Sequence, residues 1–408
     1  MKLGTSIRLS VMMFLEFFIW GSWFVTLGTF LSANLQASGL QTANVFSTQS
    51  YGAIIAPFII GLIADKFFNA ERILGVLHLV GAGLMYLMFT APDISVFYPY
   101  VFAYMVLFMP TLALVNSVSF RQMTNPEKEF SPIRMFGTIG WIIAGLLVTY
   151  FQWDNETGVK EGLLKNTFAM SGIASLVLGL YSFSLPKTPP VKSKDQKESI
   201  SDILGLKALY LLKDRNFLVF FIASILICIP LAFYYQNAHP FLEKSGMGNV
   251  TAMMAIGQVS ETFMILLIPV FFKRFGFKTT IMVGMLAWAI RYALFAYGNA
   301  GELQFMLIIG IALHGICYDF FFVSGQIYTD ALAGEKFKSA AQGLITLATY
   351  GIGMLIGFWV AGYISDTYKD LPQAEFWRQI WIIPAGIALV VAILFLLLFK
   401  NKQTKSAL

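Results

Sequence analysis

Long apolar runs alternate along the chain with short polar interruptions, and the runs are too long and too regular for the core of a water-soluble protein. A helix needs about 20 apolar residues to cross the hydrocarbon of a bilayer. Twelve stretches meet that requirement, at residues 7–31, 45–64, 72–91, 95–120, 133–152, 164–185, 216–241, 249–272, 279–298, 303–329, 338–364 and 377–399. The pattern predicts an all-α integral membrane protein with twelve transmembrane helices. The longest polar interruption, from Pro186 to Glu198, is dense in proline and charge and cannot continue as a buried helix. It divides the chain into an N-terminal six-helix half (1–185), a linker (186–215) and a C-terminal six-helix half (216–408). Within the linker, Ile203, Leu204, Leu206, Leu209 and Leu212 recur at helical spacing among Lys207, Lys213 and Arg215, which predicts a short amphipathic helix on the membrane surface.

Composition agrees with that reading. Of 408 residues, 57% are hydrophobic and 12% charged, against roughly a quarter charged in soluble domains. The net charge of +6 is scattered between apolar spans and does not line one face, so nucleic acid is not an expected partner. Membrane lipid is. The first run is too long for a signal-peptide core and has no small-residue cleavage site, so it is read as the first transmembrane helix. Cys228 and Cys317 both lie in apolar runs and indicate no disulfide framework. Lys and Arg set the orientation: one side of the membrane carries about 21 basic residues against about five on the other. That bias puts both termini and the linker in the cytoplasm.

Charges inside spans are costly and mark pathways by default. Asp319 lies mid-span, well over a turn from either end, with His314 and Tyr318 four residues apart on the face beside it. Glu261 follows Gln258 by three residues, so an amide and a carboxyl project together from an otherwise apolar span, suited to a polar solute's hydroxyls or base edge. Each of these also admits a plainer reading as a hydrogen bond between helices. Arg134, Thr138 and Trp141 follow at spacings of four and three, a cation, a hydroxyl and an aromatic plane on one face. Stacking with polar contact is what a nucleobase and its ribose require. Arg134 equally fits a side chain snorkelling from the cytoplasmic end of its span. Glu16 precedes Trp20 and Trp23 and either faces the interior cavity or does not; Arg291 reads as one member of a structural ion pair.

Other chemistry is poorly served. His78, alone in its span, reads as a packing residue. Glycines such as Gly351 and Gly353 allow close helix approach, and no Gly-Lys-Ser follows to make a phosphate loop. Three separated histidines and two distant cysteines give no metal-ligand spacing, so neither metal nor cofactor is expected. An embedded enzyme would need paired metal-binding acids or a nucleophile with its base near an interface, and the sequence offers neither.

Specific motifs add to this. Gly61-Leu62-Ile63-Ala64-Asp65-Lys66 resembles the loop signature of the major facilitator superfamily. More specific are Ile19-Trp20-Gly21-Ser22-Trp23, Met109-Pro110-Thr111, Ile133-Arg134-Met135-Phe136-Gly137-Thr138-Ile139-Gly140, Ser260-Glu261-Thr262, Arg291-Tyr292-Ala293-Leu294-Phe295-Ala296-Tyr297-Gly298 and Tyr318-Asp319-Phe320-Phe321. Together they resemble the bacterial nucleoside:proton symporter family of that superfamily, in register through nearly all spans. The resemblance implies a bundle of two six-helix halves with a central site that works by alternating access and is driven by the proton gradient; a monomer in the inner membrane, without a cofactor, is expected. The family's nucleoside-contacting positions fall on Arg134, Thr138, Gln258, Glu261 and Asp319, all matching in identity. Trp141 and Tyr318 stand where phenylalanine is familiar, and His314 where tyrosine is. Ala232 and Tyr235 stand where well-known members place amides, which sets the seventh span apart.

The expected function is therefore secondary active import of a nucleoside with a proton. Asp319 or Glu261 would carry the proton, because a carboxyl in a low-dielectric cavity can be held neutral until its surroundings change. By the resemblance, Arg134 is the counter-charge of Asp319 from the opposite half. A carrier for a sugar or another small polar metabolite is the alternative, since carboxyl, amide and aromatic groups also suit hexoses. The topology has a direct check: a cysteine placed at Lys194 should react with an impermeant thiol reagent only from the cytoplasmic side, and labelling from the periplasm would invert the orientation.

Overall fold

The computed structural model describes residues 2–59, 68–124, 126–189 and 206–400. The Gly61–Lys66 motif and linker residues 190–205 lie outside that set. Hydrocarbon offers no hydrogen bonds, so a spanning segment has to satisfy its backbone within itself, and the described secondary structure is helical throughout. The chain falls into two compact units, one of Met1–Lys197 with Met247–Ala255 and one of Glu198–Gly246 with Ile256–Leu408.

The first unit is built from α1 (Leu3–Trp23), α2 (Gly39–Ile59), α3 (Ala70–Thr90), α4 (Ile94–Gln122), α5 (Pro126–Tyr150) and α6 (Asn166–Ser182). Helix α1 continues through short helical turns to Asn34. It packs along α5 and α6, while α3 packs on α4 and α6, and α2 on α4. Small residues set the closest approaches. A Cβ on Gly140 would overlap the carbonyl oxygen of Phe14, and one on Gly21 would come within 3.0 Å of Trp141, so α1 and α5 are in near backbone contact. At the start of α4, Asp93 accepts hydrogen bonds from the backbone N–H groups of Ser95 and Val96. The Ser95 hydroxyl, with those N–H groups, holds its carboxyl below the usual carboxylate range. Asp154 caps the first turn of α8 (Val250–Tyr297): its Oδ2 accepts from Thr251 N at 2.9 Å and from Thr149 Oγ1 at 2.8 Å. Thr149 Oγ1 in turn accepts from Ala252 N at 3.2 Å, and these bonds hold Met247–Ala255 to the first unit.

The second unit holds α7 (Arg215–Lys244), α8 from Ile256 onward, α9 (Gln304–Ala312), α10 (His314–Tyr318), α11 (Ser324–Thr346), α12 (Met354–Tyr368) and α13 (Gln373–Leu398). Two π-helical turns interrupt the later helices, Asp319–Val323 between α10 and α11 and Leu347–Gly353 between α11 and α12. Such turns concentrate at functional sites, because they rotate side chains out of α register. Helix α7 packs against α12 and α13, closed by rings such as Trp381, which meets Phe241, Tyr292 and Phe295 with centroids 5.0–5.5 Å apart.

Ten helical stretches among the described residues are long and apolar enough to cross a membrane, where the sequence pattern predicts twelve. The expected second span falls on α2, and its last expected residues lie outside the described set. The expected eighth and ninth spans both fall on α8, in which two helices run together across a kink. Its break is local: Gly276 takes φ 74° and ψ 173°, a backbone region that a Cβ disfavours. The linker helix also differs. Its described part, Leu206–Lys213, is a 3₁₀-helix, whose three residues per turn eclipse i and i+3. Ala208 and Leu211 are therefore the buried pair, and Leu209 of the expected apolar face is exposed.

Gly140→Ala tests the contact between α1 and α5. Overpacking there should cost about 1 to 3 kcal/mol, read as a lowered melting temperature in detergent. Gly83→Ala, where an added Cβ meets nothing within 4 Å, should change it little. Equal stability of both variants would contradict the packing.

Candidate functional site

Each unit carries one cluster of the sequence-predicted residues. In the first unit, Arg134, Thr138 and Trp141 lie on α5 and are all partly exposed. Because Gly137 and Gly140 bring α5 against α1, two side chains of α1 complete the cluster. The Arg134 guanidinium stands 4.0 Å above the Phe17 ring, a cation–π arrangement. The Trp141 indole meets Trp20 edge-on with centroids 5.5 Å apart. Trp20 further contacts Phe17 and Phe108. The cluster thus offers a fixed cation, the Thr138 hydroxyl and aromatic walls. Phe17 and Trp20 were not among the expected site residues, since an aromatic side chain in an apolar run carries no signal of its own.

Glu16 points to the other side of α1. It is fully buried, with Oε2 2.8 Å from His78 Nε2 and Oε1 accepting from Thr111 Oγ1 at 2.6 Å. His78 Nδ1 lies 3.0 Å from Ser175 Oγ. The reading of His78 as a packing residue is therefore corrected: its ring bridges two helices through both nitrogens.

In the second unit, Gln258 and Glu261 come from α8, His314 and Tyr318 from α10, Asp319 from the π-turn that follows, and Tyr235 from α7. Glycines again decide the approach: a Cβ on Gly315 would lie 2.6 Å from Glu261 N, and one on Gly257 would lie 3.1 Å from His314 Cβ. His314 Nε2 is consequently 3.9 Å from Glu261 Oε2. On its other side His314 Nδ1 is 3.0 Å from Arg291 Nη1. A guanidinium can only donate, so Nδ1 is the acceptor and the ring's proton sits on Nε2, toward Glu261. Arg291 is fully buried, with its guanidinium carbon 3.7 Å from the centroid of Tyr234, and the His314 ring stacks on that same tyrosine. The ion pair expected for Arg291 is replaced by an aromatic face and a neutral imidazole.

The Tyr318 hydroxyl is hydrogen-bonded to that of Tyr350 at 2.5 Å, and both side chains line a small cleft with Phe322, Gln326, Gln342 and Thr346. Tyr235 lies within electrostatic reach of Tyr350 and Glu261. Gln258 is partly exposed one turn before Glu261. Asp319 is fully buried, and neither of its carboxyl oxygens has a hydrogen-bond partner among the described residues. Glu261 is the other carboxyl within its electrostatic reach. Tyr234 and Tyr350 are the functional candidates that sequence reasoning did not include, though both were findable as hydroxyls inside apolar spans.

Comparison with known proteins places this geometry. The family described as nucleoside H+ symporter matches residues 3–404. The Escherichia coli (strain K12) protein YegT is 39% identical over 98% of this chain and 95% of its own. The xanthosine permease of the same organism is 33% identical over 98% and 96%. Among solved structures, that of an aspartate-to-alanine mutant of the nucleoside transporter NupG superposes with a TM-score of 0.88 at 28% identity, covering 97% of this chain and all of that one. A family match that runs almost from end to end, full-length relatives and a shared backbone converge, and the chain belongs to the nucleoside H+ symporter family.

Proposed function

We propose that the chain imports nucleosides across a bacterial inner membrane by proton symport and alternating access, with Asp319 as its principal proton carrier. The observation that carries the assignment is the Asp319 carboxyl, fully buried on a π-turn with neither oxygen hydrogen-bonded among the described residues. A carboxylate in that setting is far more costly than the neutral acid. Glu261 is the second acid, with His314 holding an N–H toward it.

Both clusters contribute to nucleoside binding in this proposal. Arg134, Thr138 and Trp141 supply a cation, a hydroxyl and a stacking plane. Gln258, Glu261, His314, Tyr318 and Tyr235 supply the amide, carboxyl and ring groups that fit ribose hydroxyls and base edges. Twelve spans in two six-helix halves, with both termini and the linker (186–215) cytoplasmic, remain the topology we propose. Its support is the ten candidate spans, the position of α2, and the kink at Gly276 that divides α8. At 1.5 Å per residue residues 250–275 and 277–297 reach about 39 and 32 Å, each enough for a hydrocarbon core of about 30 Å. A monomer in lipid is sufficient for such a cycle.

Proteoliposome uptake of a labelled nucleoside panel, with pH and sodium gradients imposed separately, tests the function. Accumulation should follow the pH gradient and be competed by nucleosides but not by hexoses; accumulation that follows sodium, or competition by hexoses alone, would overturn it. In the same assay Trp141→Ala should weaken nucleoside binding by about 1 to 3 kcal/mol, with Trp141→Phe retaining much of it. Unchanged affinity in the alanine variant would remove Trp141 from the site.

A further inference from the structure

The contacts of Glu16 and His78 admit two proton inventories for that pair. The Ser175 hydroxyl donates to the His78 carbonyl oxygen at 3.0 Å, which commits its single proton. With the hydroxyl so turned, the 3.0 Å contact between Ser175 Oγ and His78 Nδ1 is made by a hydrogen on Nδ1. The 2.8 Å contact between Nε2 and Glu16 Oε2 requires another hydrogen between those two atoms. In this first inventory ring and carboxyl together hold two protons and no net charge. Releasing one leaves a single N–H on Nε2 facing an ionised Glu16, and Nδ1 becomes the acceptor for a Ser175 hydroxyl turned away from the carbonyl. The two inventories differ by one proton, one unit of charge and one hydroxyl rotation. Each keeps both ring nitrogens and the carboxyl hydrogen-bonded.

The groups around the pair support this exchange. From α4 come Thr111, bonded to Glu16, and Tyr104, a buried titratable group within electrostatic reach of it. From α6 come Ser175 and Ser171, the latter donating to the Ile19 carbonyl at 3.0 Å. From α5, on the far side of α1, the charged group is Arg134, above Phe17 and so one residue along from Glu16. The pair also touches the nucleoside cluster through rings. Phe108 meets His78 with centroids 6.2 Å apart and Trp20 at 5.7 Å, and Trp20 meets Trp141 at 5.5 Å.

We propose that Glu16 and His78 form a second proton-binding site of the carrier, whose occupancy sets the nucleoside affinity of the Arg134, Thr138 and Trp141 cluster through α1 and Phe108. The proposal rests on the reading of the chain as a proton-coupled nucleoside carrier, and its test separates the two. The full chain has three histidines, so ¹⁵N-histidine NMR in nanodiscs can follow each one, with His78 assigned by its loss in His78→Gln. Across the pH range in which the nanodiscs are stable, the His78 resonances should pass from two N–H groups, or one N–H with a shared proton, to a single N–H on Nε2. A His78 spectrum constant over that range would overturn the proposal whether or not any variant folds. Glu16→Gln, whose amide can still accept from Thr111 and donate to Nε2, should abolish that transition and lose one protonation step from the pH profile of nucleoside affinity. A pH profile identical to that of the parent chain would overturn the link to binding. Failure of the parent chain to move protons with nucleoside would instead strike the reading beneath it, leaving the NMR result to decide the pair.

Discussion

Hydrocarbon solvates charge poorly, and a carboxyl buried in it needs hydrogen-bond donors, a counter-charge or a proton. Two carboxyls of this chain meet that constraint in different ways. Glu16 is satisfied by His78 and Thr111, each reaching it from a neighbouring helix. Asp319 is equally buried and has no hydrogen bond to either oxygen among the described residues. A satisfied carboxyl can hold its proton count steady or exchange it in a controlled way; an unsatisfied one depends on whether a proton is present. That dependence is the reason Asp319 is proposed as the point of coupling.

The helices reach these positions through small residues. Gly140 and Gly21 let α1 and α5 approach until Phe17 lies under Arg134 and Trp20 meets Trp141. Gly257 and Gly315 do the same for α8 and α10, and so bring Glu261 within 3.9 Å of His314. Lipid tails are as apolar as the side chains they contact, so close van der Waals packing has to replace the hydrophobic drive between helices. The polar groups are then held by the backbone approach beneath them, and the Arg291 guanidinium fixes the His314 tautomer on top of that.

How much of this was legible depended on contrast along the chain. Asp319, Glu261 and Arg291 stand out because a charge interrupts an apolar run, and the spans stand out for the converse reason. Trp141 was reachable by its spacing from Arg134. Phe17 and Trp20 were not, since one ring in a chain with 39 phenylalanines marks nothing until its neighbour on another helix is known. His78 looked like packing because its partners lie 62 and 97 residues away. Arg291 suggested an acidic partner, yet the cation is met by the Tyr234 face and an imidazole lone pair, neither of which a charge pattern displays. The 3₁₀ geometry at Leu206–Lys213 likewise escaped a reading based on 3.6-residue periodicity.

The central claim is that proton coupling resides in the unsatisfied carboxyl, and Asp319→Asn isolates it by keeping the shape of the side chain while removing its exchangeable proton. The decisive measurement is nucleoside accumulation against its gradient in proteoliposomes with an imposed pH gradient, made on a variant that elutes as a monodisperse species in detergent. The account requires that accumulation be lost while nucleoside still binds. Accumulation with the pH dependence of the parent chain would contradict it and move the coupling to Glu261.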